Sequence, residues 1–174
     1  MLTIRKAVEG DVPAICELYD HIIDLYQWQV NKPGWKKGVY PIEADFRAAL
    51  ERDAMYVGEL DGRLAAGMVV RQGMDEGYRG GAWLVDVEDS QVAVIHTLGV
   101  HPELARGGLG LEMVRGAIQA AREKGCKTVR LDVLDGNPAA ERLYQKAGFS
   151  YAGDMQIFYE DTGLADFHLY EYVL

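Results

Sequence analysis

The sequence predicts a mixed α+β fold, with helices set around one largely antiparallel sheet. Three features carry that expectation. Apolar residues alternating in strand fashion interleave with apolar residues spaced by three and four, the mark of amphipathic helices. Two turn sequences, Asp61-Gly62 and Asp161-Thr162-Gly163, stand between strand-like runs and suit antiparallel hairpins. At 174 residues, 49% hydrophobic and 26% charged, the chain is sized for one globular domain, 1–174, with a proper core.

In chain order, residues 2–8 alternate and read as the first strand. Asp11 can cap the next helix, Pro13 is tolerated in its first turn, and Ile15, Leu18, Ile22 and Leu25 make its apolar stripe. Pro33-Gly34-Trp35 and Gly38 make 31–41 a loop, and 43–52 is a short second helix. Residues 55–60 and 64–71 are the strands of the first hairpin. The glycine-rich, acidic stretch 72–90 is an irregular or hairpin excursion, whose Asp75, Glu76, Asp86, Glu88 and Asp89 read as a solvated loop. Residues 91–100 form the long central strand. A helix over 108–124 buries Leu111, Val114, Ile118 and Ala121, and Gly125 stops it. Val129, Leu131 and Val133 share one face of a strand over 128–134. Asn137-Pro138 opens a short helix that ends at Gly148, and strands over 149–159 and 166–173 complete the chain.

The chemical signal lies in 94–149. Glycines 107, 108 and 110 open a helix directly after a strand. Backbone N–H groups and the helix dipole make such a loop an anion site, and missing side chains let a phosphate come close. A nucleotide-triphosphate loop needs Gly-Lys-Ser/Thr here, but the chain runs Gly108-Leu109-Gly110-Leu111. A dinucleotide fingerprint fits Gly108-x-Gly110 and finds Asp132 near the place of a ribose-binding acid. Its third glycine, however, is Met113, and 101–107 is too long for its tight turn.

The two segments Leu98-Gly99-Val100-His101-Pro102 with Gly108-Leu109-Gly110, and Asn137-x-x-Ala140-x-x-x-Tyr144-x-x-x-Gly148-Phe149, resemble the acyl-CoA-dependent N-acetyltransferase superfamily (GNAT) in order and spacing. The resemblance is strong over about a third of the chain. One departure stands out: the usual Arg/Gln position before the glycines is Ala105, with the arginine next door at Arg106. The resemblance implies the GNAT fold, a mostly antiparallel twisted sheet of about seven strands flanked by about four helices. It implies acetyl-CoA as acyl donor, with the pyrophosphate on backbone N–H groups of Arg106, Gly107, Gly108, Leu109, Gly110 and Leu111. It further implies that Leu98, Gly99 and Val100 pair with the pantetheine arm, that the Leu98 N–H faces the developing oxyanion, and that the Asn137 side chain touches the cofactor. Asn137 is equally a helix N-cap. Tyr144 is implied as the proton donor to the departing thiolate, although its ring also suits the core.

His96 is the only ionisable side chain in 91–100, and an imidazole can take the proton of an attacking ammonium. Strand alternation puts His96 on the same face as Leu98 and Val100. The resemblance implies that in some family members histidines on this strand relay that proton, while others use a glutamate nearby. A histidine bonded within the sheet is the plainer alternative, and His101 reads as an exposed loop residue. Trp28, Trp35, Tyr40 and Trp83 are candidates for an acceptor pocket, because aromatic faces attract ammonium groups. Ordinary packing explains each of them as well. The chain thus reads as an enzyme acetylating a primary amine of a small molecule or peptide by direct attack in a ternary complex. The alternative is a non-catalytic acyl-CoA-binding module.

The net charge of −9 argues against nucleic-acid binding, which rests on Lys and Arg neutralising phosphates. It suits a cationic substrate, and equally a chain that only stays dispersed. No run crosses a membrane, the first residues lack a secretion signal, and two cysteines form no framework, so a cytoplasmic setting is expected. Cys126 reads as a small buried apolar residue. No metal site is expected, and homodimerisation is left open.

Overall fold

Among the described residues, 1–27, 29 and 33–174 of a computed structural model, the chain forms seven strands and four α-helices. They are β1 (Thr3–Lys6), α1 (Val12–Tyr26), α2 (Glu43–Glu51), β2 (Met55–Leu60), β3 (Arg63–Gln72), β4 (Val92–Val100), α3 (Leu109–Glu123), β5 (Thr128–Leu134), α4 (Pro138–Lys146), β6 (Ser150–Tyr159) and β7 (Gly163–Val173). One sheet takes the order β1-β2-β3-β4-β5-β7-β6, antiparallel throughout except for β4 against β5. The stretch 72–90 carries no strand of its own after Gln72, only short 3-10 turns, as its glycines suggested.

Each sheet face is covered where the apolar period demands it. Met113, Val114, Ala117 and Ile118 of α3 pack on Met68, Val70, Ala93, Ile95, Val129 and Leu131, and buried Cys126 belongs to the same cluster. Ile15, Leu18, Tyr19 and Ile22 of α1 and Phe46 of α2 cover Met55 and Val57 on the other face. Two expected stripe residues stand aside. Leu25 is exposed, because the α1 stripe turns to Tyr19 and Ile23, and Leu111 is only half-buried, because Met113 and Ala117 fill the seam.

The acidic excursion is fastened by a buried ion pair. Arg130 on β5 and Glu171 on β7, 4% and 1% exposed, meet at 2.8 Å. Thr128 Oγ1 and the Leu84 N–H also donate to Glu171. Arg130 donates to the Val85 carbonyl at 2.6 Å and to Met74 Sδ at 3.3 Å, and lies over the Trp83 ring. Full pairing is what makes a buried charge tolerable, and here both charges have it.

The alternation of β4 breaks at Thr97. Gly67 pairs with Gly99 and Val69 with His96, so one residue of β3, Met68, faces two of β4, Thr97 and Leu98. Thr97 takes φ of 48°, and Tyr19 donates to its carbonyl at 2.5 Å. This is a β-bulge, which bends a strand and re-aims the side chains beyond it. The shared face of His96, Leu98 and Val100 is therefore corrected. Leu98 and Val100 pack with the α3 cluster, while His96 and Gly99 face the α1 and α2 side. A Cβ on Gly99 would lie 2.9 Å from Ile22 Cδ1 and 3.1 Å from Tyr19 Cε1. Gly99→Ala is expected to cost about 1–3 kcal/mol by overpacking, read as a lower denaturation midpoint. It also pushes on the tyrosine that holds the bulge.

A candidate active site where two strands part

Parallel pairing of β4 with β5 is confined to Val92 with Thr128, Ala93 with Val129 and Val94 with Arg130. Beyond these the strands share no pairs, and a cavity lies where they part. Its lining comes from β4 (Ile95, His96, Thr97, Leu98), from β5 (Asp132, Val133, Leu134) and from α4 with its cap (Asn137, Ala140, Tyr144). Trp35, Tyr40, Tyr159 and Asp161 close its far wall. A second depression shares His96, Thr97, Tyr40, Tyr159 and Asp161 and continues to Arg71 and Asp75. His96 thus stands between two openings that meet.

Gly108 takes φ of 78°, a left-handed conformation that costs other residues about 1–2 kcal/mol. A Cβ there would meet nothing within 4 Å, so the turn sets the need for glycine and leaves open space before α3. Among the described residues no side chain caps this helix start. Leu111 gives its N–H to the Gly108 carbonyl at 3.0 Å, which leaves Leu109 and Gly110 as first-turn donors. Gly110 has a different task, since a Cβ there would stand 3.3 Å from Leu143 of α4. Arg106 and Gly107 close the 3-10 turn Pro102–Gly107 that leads into the loop. The asparagine at the start of α4 does cap it: Asn137 Oδ1 accepts from the Ala140 N–H at 3.3 Å, while the residue also lines the cavity.

Tyr144 is 8% exposed and meets Phe149 edge-on at 5.6 Å, so its ring is core. Burial pushes its phenol pKa up and keeps the proton on at neutral pH. His96 Nε2 lies 2.7 Å from Asp75 Oδ2. Burial pulls the imidazole down to about 4, the nearby Asp132 charge pulls it back up, and Arg71 opposes Asp132. Arg71 also contacts the other oxygen of Asp75. Asp132 accepts from the Tyr159 hydroxyl at 2.6 Å, and burial raises its pKa. Burial does the same to Asp161, which is 4% exposed.

The cavity brings together His96, Leu98, Asn137, Tyr144, Trp35 and Tyr40. Trp83 stands elsewhere: its Nε1 donates to the Tyr78 carbonyl at 3.0 Å and its ring carries Arg130, so it fastens the excursion and lines no part of this cavity. Trp28 lies outside the described residues. His101 is half-buried against His21, not exposed, and its N–H donates to Ala65. Sequence reasoning missed Asp75, Tyr159 and Asp161 as site residues and dismissed Asp132 with the dinucleotide reading. Asp132 alone left a signal, an acid within the mostly apolar strand over 128–134.

The chain belongs to the acetyltransferase (GNAT) family, whose model matches residues 17–149. A Bacillus subtilis (strain 168) relative proposed to be a [ribosomal protein bS18]-alanine N-acetyltransferase is 31% identical over 127 residues, 72% of this chain and 81% of that protein. A GNAT-family acetyltransferase structure from Streptococcus agalactiae 2603 superposes with a TM-score of 0.82 at 21% identity, covering 99% of this chain and 95% of that one. A Salmonella typhimurium structure solved with acetyl-CoA superposes with a TM-score of 0.72 at 20% identity, covering 100% and 94%. No helix among the described residues is long and apolar enough to cross a membrane.

Proposed function

We propose that this acyltransferase, acting as one domain over 1–174, moves an acetyl group from acetyl-CoA to a primary amine of a peptide or small molecule. The attack is direct, within a ternary complex. One observation carries the reading: a cavity between β4 and β5 that brings His96 and Tyr144 together, next to an uncapped helix start. Acetyl-CoA, as co-substrate, supplies the activated thioester. The Leu109 and Gly110 N–H groups and the open space beside Gly108 suit its pyrophosphate. The edge of β4 past Val94, unpaired by β5, suits an extended amide-bearing arm along Leu98, Gly99 and Val100.

The chain's own residues then divide the work. Thr97 and Leu98 have no residue directly opposite them on β3, and the Leu98 N–H is the donor for a developing oxyanion. His96, neutral at physiological pH, takes the ammonium proton directly or through water, and the Asp132 charge favours the imidazolium so formed. Tyr144 gives its proton to the leaving thiolate. The acceptor enters from the side of Trp35, Tyr40, Tyr159 and Asp161, where aromatic faces and a carboxylate suit a cation.

The test is calorimetric titration of CoA into the parent and into Gly108→Val. The parent binds CoA, and the variant, folded by circular dichroism, loses most of that affinity because its side chain fills the space before α3. Equal affinities in two folded proteins remove the glycine turn from the cofactor site.

A further inference from the structure

We infer that Asp132 anchors the acceptor: its Oδ1 receives the substrate's ammonium while Tyr159 holds Oδ2, so the acceptor docks as a cation and not as a free amine. This rests on the cavity being the acetyl-transfer site, and it names the charge state in which the substrate arrives. Arg130 and Asp132 stand two apart on β5 and so share a face of the sheet. It is the face opposite Val129, Leu131 and Val133, which pack in the α3 cluster, and therefore the face to which His96 turns. The surroundings of the two charges differ. Arg130 is closed in by Glu171, the Val85 carbonyl and Met74. Asp132 is half-buried and lines the cavity.

Among the described residues the one hydrogen bond to the Asp132 side chain comes from the Tyr159 hydroxyl, to Oδ2 at 2.6 Å, and no Lys or Arg pairs with it. A carboxylate has roughly four acceptor sites, so this bond leaves Oδ1 open. Tyr78 lies wholly buried close to Asp132, yet its hydroxyl has no hydrogen-bond partner, so it does not take that oxygen. A carboxylate drawn out of water is costly until a cation meets it. Burial raises the Asp132 pKa, and the Tyr159 bond and the His96 charge lower it. An ammonium at Oδ1 acts in the same sense as those two. Asp132 also sits at the centre of the cavity's titratable groups. Besides burial, which raises the phenols of Tyr40, Tyr144 and Tyr159 and lowers the His96 imidazole, the Asp132 charge raises all four. The rings of Trp35, Tyr40 and Tyr159 line the same space and add their attraction for an ammonium.

The experiment reads binding without turnover. Protein saturated with CoA is titrated calorimetrically with two matched pairs. One is benzylammonium against benzyl alcohol; the other is trialanine amide against the same peptide with a hydroxyl in place of its ammonium. In at least one pair the cation is expected to bind at least about tenfold more tightly, the weight of a hydrogen bond to a charged group. In Asp132→Asn, which keeps the shape and loses the charge, the preference disappears while CoA affinity stays parental. Equal binding, or no measurable binding of the cation, in both pairs overturns the inference. So does a preference that survives in Asp132→Asn. Should that variant not fold, Asp132→Ala takes its place, and the parental titrations decide if both fail. A cation preference with no amine acetylated leaves the anchor standing and removes the transfer reading, whereas acetylation without the preference does the reverse.

Discussion

Tyr144→Phe is expected to lower turnover by about 10²–10⁴-fold, the usual weight of a general acid, while CoA binds almost as before. The substitution keeps the ring that meets Phe149 edge-on and removes only the hydroxyl. That hydroxyl lies on a residue lining the cavity, in surroundings that hold its proton in place at neutral pH. Without it the thiolate must leave unprotonated or wait for water. The ring's contacts are unchanged, so the thermal midpoint should move little. The measurement pairs thiol release under single-turnover conditions with CoA calorimetry. An undiminished single-turnover rate returns Tyr144 to the core as a packing residue only.

His96→Ala is expected to depress the rate most near neutral pH and to recover in part at high pH. With the imidazole pulled down to about 4, the parent ring is uncharged across the neutral range and can receive a proton there. The alanine variant must wait for amine that has already lost its proton. Its rate therefore climbs with pH by about tenfold per unit until the amine's own pKa is reached, the slope of a single deprotonation. The same shift has a stability consequence with the opposite partner. His96 binds protons more weakly folded than unfolded, so the parent loses stability as pH falls from about 6.5 towards about 4, and His96→Ala lacks that loss. A pH–rate series and acid melts on both proteins check the two statements. Coincident acidic limbs would falsify the base assignment and leave Asp75 or a water chain to take the proton.

Most of the frame was legible because it is local. Hairpin turns, a capped helix after Asn137 and the stripe of α3 are fixed by residues within a few positions of one another, and strands such as Met55–Leu60 and Thr128–Leu134 fall where the alternation put them. The bulge was not legible. Thr97 is neither glycine nor asparagine, and its positive φ goes with a hydrogen bond from Tyr19 on a distant helix. That one residue turned His96 away from the face alternation assigns to it. The far wall of the cavity was hidden for a similar reason. Asp75, Asp132, Tyr159 and Asp161 come from separate elements, and only the sheet order places β5, β6 and the turn after β3 near β4. Asp75 was further masked by its neighbours, since five acids in a glycine-rich stretch read as solvent-facing until one of them is found against a histidine. Trp83 was misplaced because an aromatic in an excursion can serve a ligand or an anchor, and the buried Arg130 that decides the matter lies on another strand.

Acetyl transfer to an amine in the cavity between β4 and β5 is decided by incubating the protein with acetyl-CoA and a panel of primary amines, including short peptides with free N-termini, and counting free thiol against acetylated product. At least one amine is expected to be acetylated in equal amount to the thiol released, with no acetyl group left on the protein. Tight binding of acetyl-CoA with no transfer to any amine in the panel would contradict it and favour a module that only binds the cofactor.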